Sequence, residues 1–171
     1  MARAQAKASS KRRLQPKAGR KRSGKSAAHR RVAGAKSRTK RPAPAKAQRF
    51  IVSHLQETDF LEGLRAYAKY RDLGIADATH GKVRAHVIRF TTPFEPGEVS
   101  KRHYHDVEFQ MVYVLKGWFR TEFEGEGAIT MHEGSCWIQP PGIEHTVLGY
   151  SDDCEVLEII LPADFETVTL E

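Results

Sequence analysis

The sequence predicts an all-β domain that follows a long basic tail. From residue 82 onward, short runs rich in Val, Ile, Phe, Tyr and Trp alternate with turns that contain Gly, Pro or Asp, a pattern typical of a β-sandwich or β-barrel. Residues 1–50 contain 18 Lys and Arg and no Asp or Glu, whereas residues 51–171 carry 10 basic and 21 acidic side chains, a net charge of −11. The overall net charge of +7 therefore describes neither part of the chain.

The tail, residues 1–49, is expected to be disordered, because it has too few bulky apolar side chains to offset the entropy cost of ordering. Three interpretations remain open. In the first, the tail is an arm that binds nucleic acid through phosphate contacts. In the second, it is a transit segment. In the third, it is a variable extension or the result of a misassigned start codon. The first implies salt-sensitive DNA binding that disappears when residues 1–49 are deleted, since the rest of the chain is acidic.

The hydropathy pattern argues against a membrane span and against a secretory signal. The longest apolar runs have about five residues, whereas a span needs roughly 20, and no apolar segment follows the basic N-terminus. Cys136 and Cys154 lack the C-x-x-C spacing and are expected to be reduced. We therefore expect a cytoplasmic protein.

Residues 50–82 are interpreted as a lead-in segment to a barrel formed by residues 83–171. Asp59 is a candidate N-cap, and apolar side chains follow it at helical spacing: Phe60, Leu61, Leu64, Tyr67 and Ala68. This spacing predicts a short helix over 59–69. Alternation in residues 67–71 leaves a strand as the other interpretation.

Seven strands are predicted after residue 82, each bounded by turn residues. They cover residues 83–88, 108–115, 118–123, 128–131, 136–139, 145–150 and 154–161. This amount of strand is enough for one compact core.

His103 and His105 are the first residues along the chain that indicate a chemical function. Residues i and i+2 of a strand point to the same face, so two imidazoles at this spacing can converge on one metal ion. His86 lies in a predicted strand as well, where it faces either a cavity or only its strand neighbours.

Two longer stretches resemble the sequence motifs of the cupin superfamily. Residues 97–117 follow the first motif, which is Gly, five residues, His-x-His, three or four residues, Glu, six residues and Gly, with Gln110 at the position of the Glu. Residues 134–149 follow the second motif, which is Gly, five residues, Pro-x-Gly, two residues, His, three residues and Asn, with Gly149 at the position of the Asn.

The resemblance implies a single jelly-roll β-barrel, often a homodimer, that holds a divalent metal ion. The ligands carried over by the motifs are His103, His105, Gln110 and His145. Imidazole ligands favour Fe, Mn, Ni, Co or Zn over Ca or Mg. Because these four side chains add no charge, the ion would keep its full charge as a Lewis acid. Glu108, two residues before Gln110, is a candidate replacement ligand or general base, or else a solvated carboxylate.

Two functions follow from the resemblance. One is a metal-dependent dioxygenase, isomerase or lyase that acts on a small organic acid or enol bound in the barrel. The alternative is a non-catalytic barrel that senses a ligand or metal, with nucleic acid bound by residues 1–49. No helix-turn-helix pattern is visible, so any nucleic-acid contact depends on the tail.

Overall fold

The computed structural model describes residues 46–170. The predictions of disorder and of nucleic-acid binding for residues 1–45 concern a part of the chain outside the described residues. Within residues 46–170, no helix is both long and apolar enough to cross a membrane.

The described chain consists mainly of short strands. The strands are β1 (Leu61–Glu62), β2 (Ala68–Asp72), β3 (Arg84–Phe90), β4 (His103–Asp106), β5 (Phe109–Lys116), β6 (Trp118–Phe123), β7 (Gly127–His132), β8 (Cys136–Ile138), β9 (His145–Tyr150), β10 (Glu155–Leu161) and β11 (Glu166–Thr169). A 3-10 turn (Glu57–Asp59) and two one-turn helices, α1 (Ile75–Ala78) and α2 (Pro96–Val99), complete the set. The seven predicted strands correspond to β3 and to β5 through β10.

The strands form two antiparallel sheets, which confirms the predicted all-β class. One sheet has six strands in the order β1-β2-β3-β10-β5-β8, and the other has five in the order β11-β4-β9-β6-β7. In the first sheet β10 lies between β3 and β5 and pairs with both. In the second sheet β4 lies between β11 and β9.

The core lies between the two sheets, and strand alternation explains which side chains enter it. In β5, Val112 and Val114 are buried, whereas Tyr113 between them is exposed, because successive side chains of a strand point to opposite faces. Buried Phe123 of β6 and Val147 of β9 belong to the same cluster from the other sheet. Each such side chain contributes about 1.5–3 kcal/mol through burial.

The helix predicted over residues 59–69 is wrong. The structure has a 3-10 turn that ends at Asp59, the short β1, and then β2, so the alternative strand interpretation of residues 67–71 is the correct one. β2 pairs along its whole length with β3, from Ala68 opposite Phe90. Leu61 and Leu64, which supported the helical spacing, are 66% and 76% exposed. Their spacing therefore reflects no packed helical face.

The described segment before residue 50 already contacts the lead-in segment. Ala47 O accepts a hydrogen bond from His80 Nε2 at 2.9 Å. Arg49 N donates to Ala78 O at 2.9 Å, and the Arg49 guanidinium pairs with Asp77. Residues 47–49, placed in the tail by the sequence analysis, thus lie against α1.

Gly117, in the turn between β5 and β6, offers a test of the packing. Its φ is +70°, and a Cβ there would overlap Ser151 Oγ, which is held in place by a 2.9 Å hydrogen bond from Trp118 N. Gly125 has a similar φ of +79° but no atom within 4 Å of an added Cβ. We expect Gly117→Ala to lower the free energy of unfolding by about 1–3 kcal/mol more than Gly125→Ala does.

Chemical denaturation of both variants measures this difference. Equal losses of stability in the two variants would show that backbone strain alone, and not the contact with Ser151, determines the requirement for glycine at residue 117.

Candidate metal centre

Three histidines from two neighbouring strands meet inside the sheet pair. His103 and His105 lie on the same face of β4, and His103 is directly opposite His145 of β9. The ring centroid of His103 lies 4.2 Å from that of His145 and 5.2 Å from that of His105. One nitrogen from each ring lies within 4.8 Å of the other two, a spacing that allows all three to bind one ion.

Hydrogen bonds that involve Nδ1 orient each of the three rings. Nδ1 of His103 lies 2.7 Å from Lys101 O, and Nδ1 of His145 lies 3.0 Å from Ile143 O. Nδ1 of His105 lies 3.0 Å from the Thr167 hydroxyl on β11. A carbonyl acceptor requires the proton on Nδ1, so Nε2 of His103 and of His145 keeps a free electron pair. This is the arrangement that orients histidine ligands at metal sites.

Burial keeps these rings neutral at neutral pH. Desolvation lowers the pKa of His145 to about 3 and that of His105 to about 4, and the neighbouring histidines add to both effects. Burial also lowers the pKa of His103, and the charge of Arg65 acts in the same direction. A metal ion binds the neutral imidazole, so no proton has to leave before binding.

Gln110 lies fully inside the structure next to these histidines. Its side chain is 1% exposed. The amide oxygen accepts a hydrogen bond from Gln139 Nε2 at 3.0 Å, and the same Gln139 nitrogen lies 3.1 Å from His145 Nε2. The Gln110 oxygen and the free nitrogen of His145 thus share one donor. Gln139, which the sequence analysis did not single out, must give up this contact for His145 to bind an ion.

Glu158 is a second residue of the site that sequence reasoning missed. It lies on β10, and its Oε1 accepts a hydrogen bond from Gln110 Nε2 at 2.5 Å. Its Oε2 lies 2.6 Å from His86 Nε2, so His86 does face the cavity. Val156 and Ile160, two residues to either side, are buried on the same strand face. In the sequence, a carboxylate stands between two aliphatic residues on the same face of a predicted strand. This pattern could have indicated an acidic side chain that points into the core.

The four predicted ligands were expected to add no charge to the site, but Glu158 adds a negative charge. Burial acts to raise the pKa of Glu158, but the hydrogen bond and charge of His86, with smaller contributions from His105 and Gln110, outweigh it and lower the pKa. Glu158 is therefore ionised at neutral pH. The candidate ligands are neutral as expected, but they are not the only groups at the site, because a carboxylate lies next to Gln110.

Glu108 lies apart from this group. It is exposed, and it precedes the first residue of β5, so the strand parity that would point it inward does not apply. It is not among the residues that line the cavity described below. A ligand or general-base role for Glu108 stays a prediction that the geometry of the site does not require.

The histidines, Gln110 and Glu158 line a cavity of about 700 Å³, a volume typical of small-molecule sites. Apolar side chains from both sheets form much of its wall: Ile88, Phe90, Val112, Trp137, Val147 and Val156. The lead-in segment also contributes, since Arg65 and Tyr70 line the same cavity. Three neutral imidazoles and one amide oxygen fit a divalent transition metal, whereas an all-oxygen set would suit Ca or Mg.

Comparison with known families agrees with this geometry. Residues 90–160 match the family model of the cupin domain, and this segment contains β4, β5 and β9 with all four predicted ligands. Residues 90–160 are thus similar to a cupin domain. Among curated proteins, none matches the chain.

Solved structures similar to this chain include three proteins of low sequence identity. The polyketide cyclase RemF from Streptomyces resistomycificus aligns with a TM-score of 0.54 at 16% identity, over 71% of this chain and 87% of RemF. Oxalate decarboxylase from Bacillus subtilis aligns with 0.52 at 18% identity, over 74% of this chain and 35% of that one. A Streptomyces PAC13 variant with uridine aligns with 0.51 at 12% identity, over 68% and 88%. At these identities the likeness shows the fold alone.

Glu158→Gln is expected to weaken metal binding while the fold is retained. The variant keeps the shape of the side chain and a hydrogen-bond acceptor for Gln110, but it removes the negative charge beside that residue. Mutation of a residue that hydrogen-bonds to a metal ligand typically costs roughly 10–100-fold in metal affinity. Titration of the chelated protein with Mn²⁺ and Zn²⁺ measures the change.

Glu155→Gln is the matched control, because Glu155 lies on the same strand but pairs with Arg89 instead and does not line the cavity. If both variants bind the two ions as tightly as the unmodified protein, Glu158 has no part in the metal site.

Proposed function

We propose that this cupin is a metal-dependent enzyme that acts on a small organic acid or enol. It would bind one divalent transition-metal ion through His103, His105 and His145. The observation that carries the proposal is the clustering of the three rings, with one nitrogen of each within 4.8 Å of the other two. Hydrogen bonds at Nδ1 accompany this clustering. Buried histidines with a purely structural role usually use both nitrogens in hydrogen bonds, whereas Nε2 of His103 and of His105 makes none within residues 46–170.

The residues of the site support this proposal with complementary roles. Gln110 offers its amide oxygen as a fourth donor, and its amide nitrogen is held by Glu158. A bound ion would act as a Lewis acid that polarises a substrate oxygen and stabilises negative charge. Much of the cavity wall is apolar, which lowers the local polarity and strengthens electrostatic interactions there.

Glu158 and His86 support proton transfer within the same cavity. Their side chains lie 2.6 Å apart and are 13% and 12% exposed, so the pair can hold one proton between Oε2 and Nε2. An enzyme that removes or returns a substrate proton needs such a group within reach of the substrate. The proposal covers dioxygenase, isomerase and lyase reactions on an organic acid or enol. The fold is shared with a decarboxylase and a cyclase, both of which are enzymes.

His145→Ala tests the metal site directly. We expect the purified protein to hold about one transition-metal ion per chain, and the variant to hold almost none, because three imidazole ligands become two. His132→Ala is the control, since His132 is exposed on β7 and does not line the cavity. Inductively coupled plasma mass spectrometry after reconstitution measures the metal content.

Two results would contradict the proposal. The first is an unmodified protein that takes up no ion even on reconstitution with Fe, Mn, Ni, Co or Zn. The second is a His145→Ala variant with a full metal content, which would show that the ligands are other residues.

We also propose that the protein is a homodimer. Apolar side chains on the outer face of β5 and β8 are exposed: Tyr113, Leu115 and Ile138. Adjacent exposed apolar side chains on a sheet face are typical of protein–protein contacts. We expect sedimentation velocity to show a dimer that Ile138→Lys converts to a monomer, whereas Leu64→Lys, at an exposed site in the lead-in segment, leaves it unchanged. A dimer that persists in Ile138→Lys would exclude this face as the interface.

A further inference from the structure

Two arginines line the cavity of the candidate metal centre without an acidic partner. Arg65 lies in the connection between β1 and β2, and Arg84 is the first residue of β3. Both are half-buried and both line the cavity. Neither takes part in an ion pair within residues 46–170. Each guanidinium therefore loses part of its hydration without gaining an acidic partner.

The carboxylates that line the same cavity are engaged elsewhere. Asp59 is exposed and lies 3.8 Å from Arg71 Nε. Both oxygens of Glu158 are used by neighbouring side chains. Asp72 accepts a hydrogen bond from a backbone N–H at 2.7 Å. None of the three lies within ion-pair distance of Arg65 or Arg84, so neither guanidinium is neutralised by a carboxylate of the cavity.

Contacts through one aromatic ring place Arg84 near the histidines. Its Cζ lies 5.8 Å from the centre of the Phe165 ring, a distance typical of a cation–π contact. The same Phe165 ring lies 5.6 Å from the ring of His105, edge to face. Arg84 also shares a strand face with His86, two residues further along β3. One phenyl ring thus separates the Arg84 guanidinium from His105.

Arg65 reaches the same cavity from the lead-in segment and lines it together with His103 and His105. Arg65 lies before residue 90, where the match to the cupin domain begins, and so does Arg84. Both cations are therefore contributed by parts of the chain that precede the matched domain.

We infer that the cavity binds an organic carboxylate, with the carboxylate held by Arg65 and Arg84 and an apolar body packed against the wall. A planar guanidinium matches the two oxygens of a carboxylate. The apolar wall of Ile88, Phe90, Val112, Trp137, Val147 and Val156 favours a hydrocarbon or aromatic body over a sugar. This inference rests on the proposed function for the nature of the site, and it narrows the substrate class to acids with an apolar part.

Binding of three carboxylates to the full-length, chelator-treated protein tests the inference: benzoate, 3-phenylpropionate and octanoate. We expect isothermal titration calorimetry to show saturable binding of at least one of them. Arg65→Gln and Arg84→Gln should each weaken it by on the order of 10-fold, since each removes a charge-assisted hydrogen bond. Arg120→Gln, at an exposed position of β6 outside the cavity, should leave it unchanged. The neutral amide of the best ligand should bind at least about 10-fold more weakly.

Three results would overturn the inference: no saturable binding of any of the three acids, equal binding of the acid and its amide, or unchanged binding in the Arg65→Gln, Arg84→Gln double variant. Because the titration uses metal-free protein, its outcome is independent of the metal analysis of His145→Ala. A failure of the proposed metal function would therefore appear in that analysis, and a failure of the carboxylate site would appear here.

Discussion

The candidate site depends on the register of one short strand, β4. Its residues pair on one side with β9, where His103 faces His145, and on the other side with β11, where His105 faces Thr167. A shift of one residue in either pairing would turn the side chains of β4 to the opposite face. Register thus decides both which nitrogens converge and which hydroxyl lies next to His105. The core between the sheets stabilises this pairing, and the pairing determines the positions of the three histidines.

A buried carboxylate is the second constraint, because it has to be compensated locally. Glu158 loses its hydration inside the structure, and hydrogen bonds with His86 and Gln110 replace the lost water contacts. These bonds also orient the amide of Gln110, so its nitrogen faces Glu158 and its oxygen faces Gln139. Glu158 therefore determines both the negative charge in the cavity and the orientation of the predicted ligand Gln110. A change at one of these residues is expected to affect the others.

The strand predictions succeeded where turn residues and alternation agree. β5 and β10 are examples, since buried and less buried side chains alternate along much of each strand. The prediction failed for residues 59–69, where apolar residues at helical spacing lie in a segment that pairs with β3 or remains exposed. Local propensity there is weaker than the hydrogen bonds and burial that β2 gains as a sheet strand. Strands β1, β4 and β11 were not among the seven predicted strands, since none of them is longer than four residues.

The sequence by itself determined the all-β class, most strand positions and the three histidines of the candidate metal site. These features depend on short-range spacing: period-two alternation, turn residues, and motifs within 21 residues of chain. Only the tertiary structure decided that Glu158 lies beside Gln110, 48 residues earlier in the chain, and that Arg65 and Arg84 line the same cavity. The physical reason is that sheet pairing between β3, β10 and β5 brings distant residues together, and pairing register is a property of the folded chain rather than of any local segment.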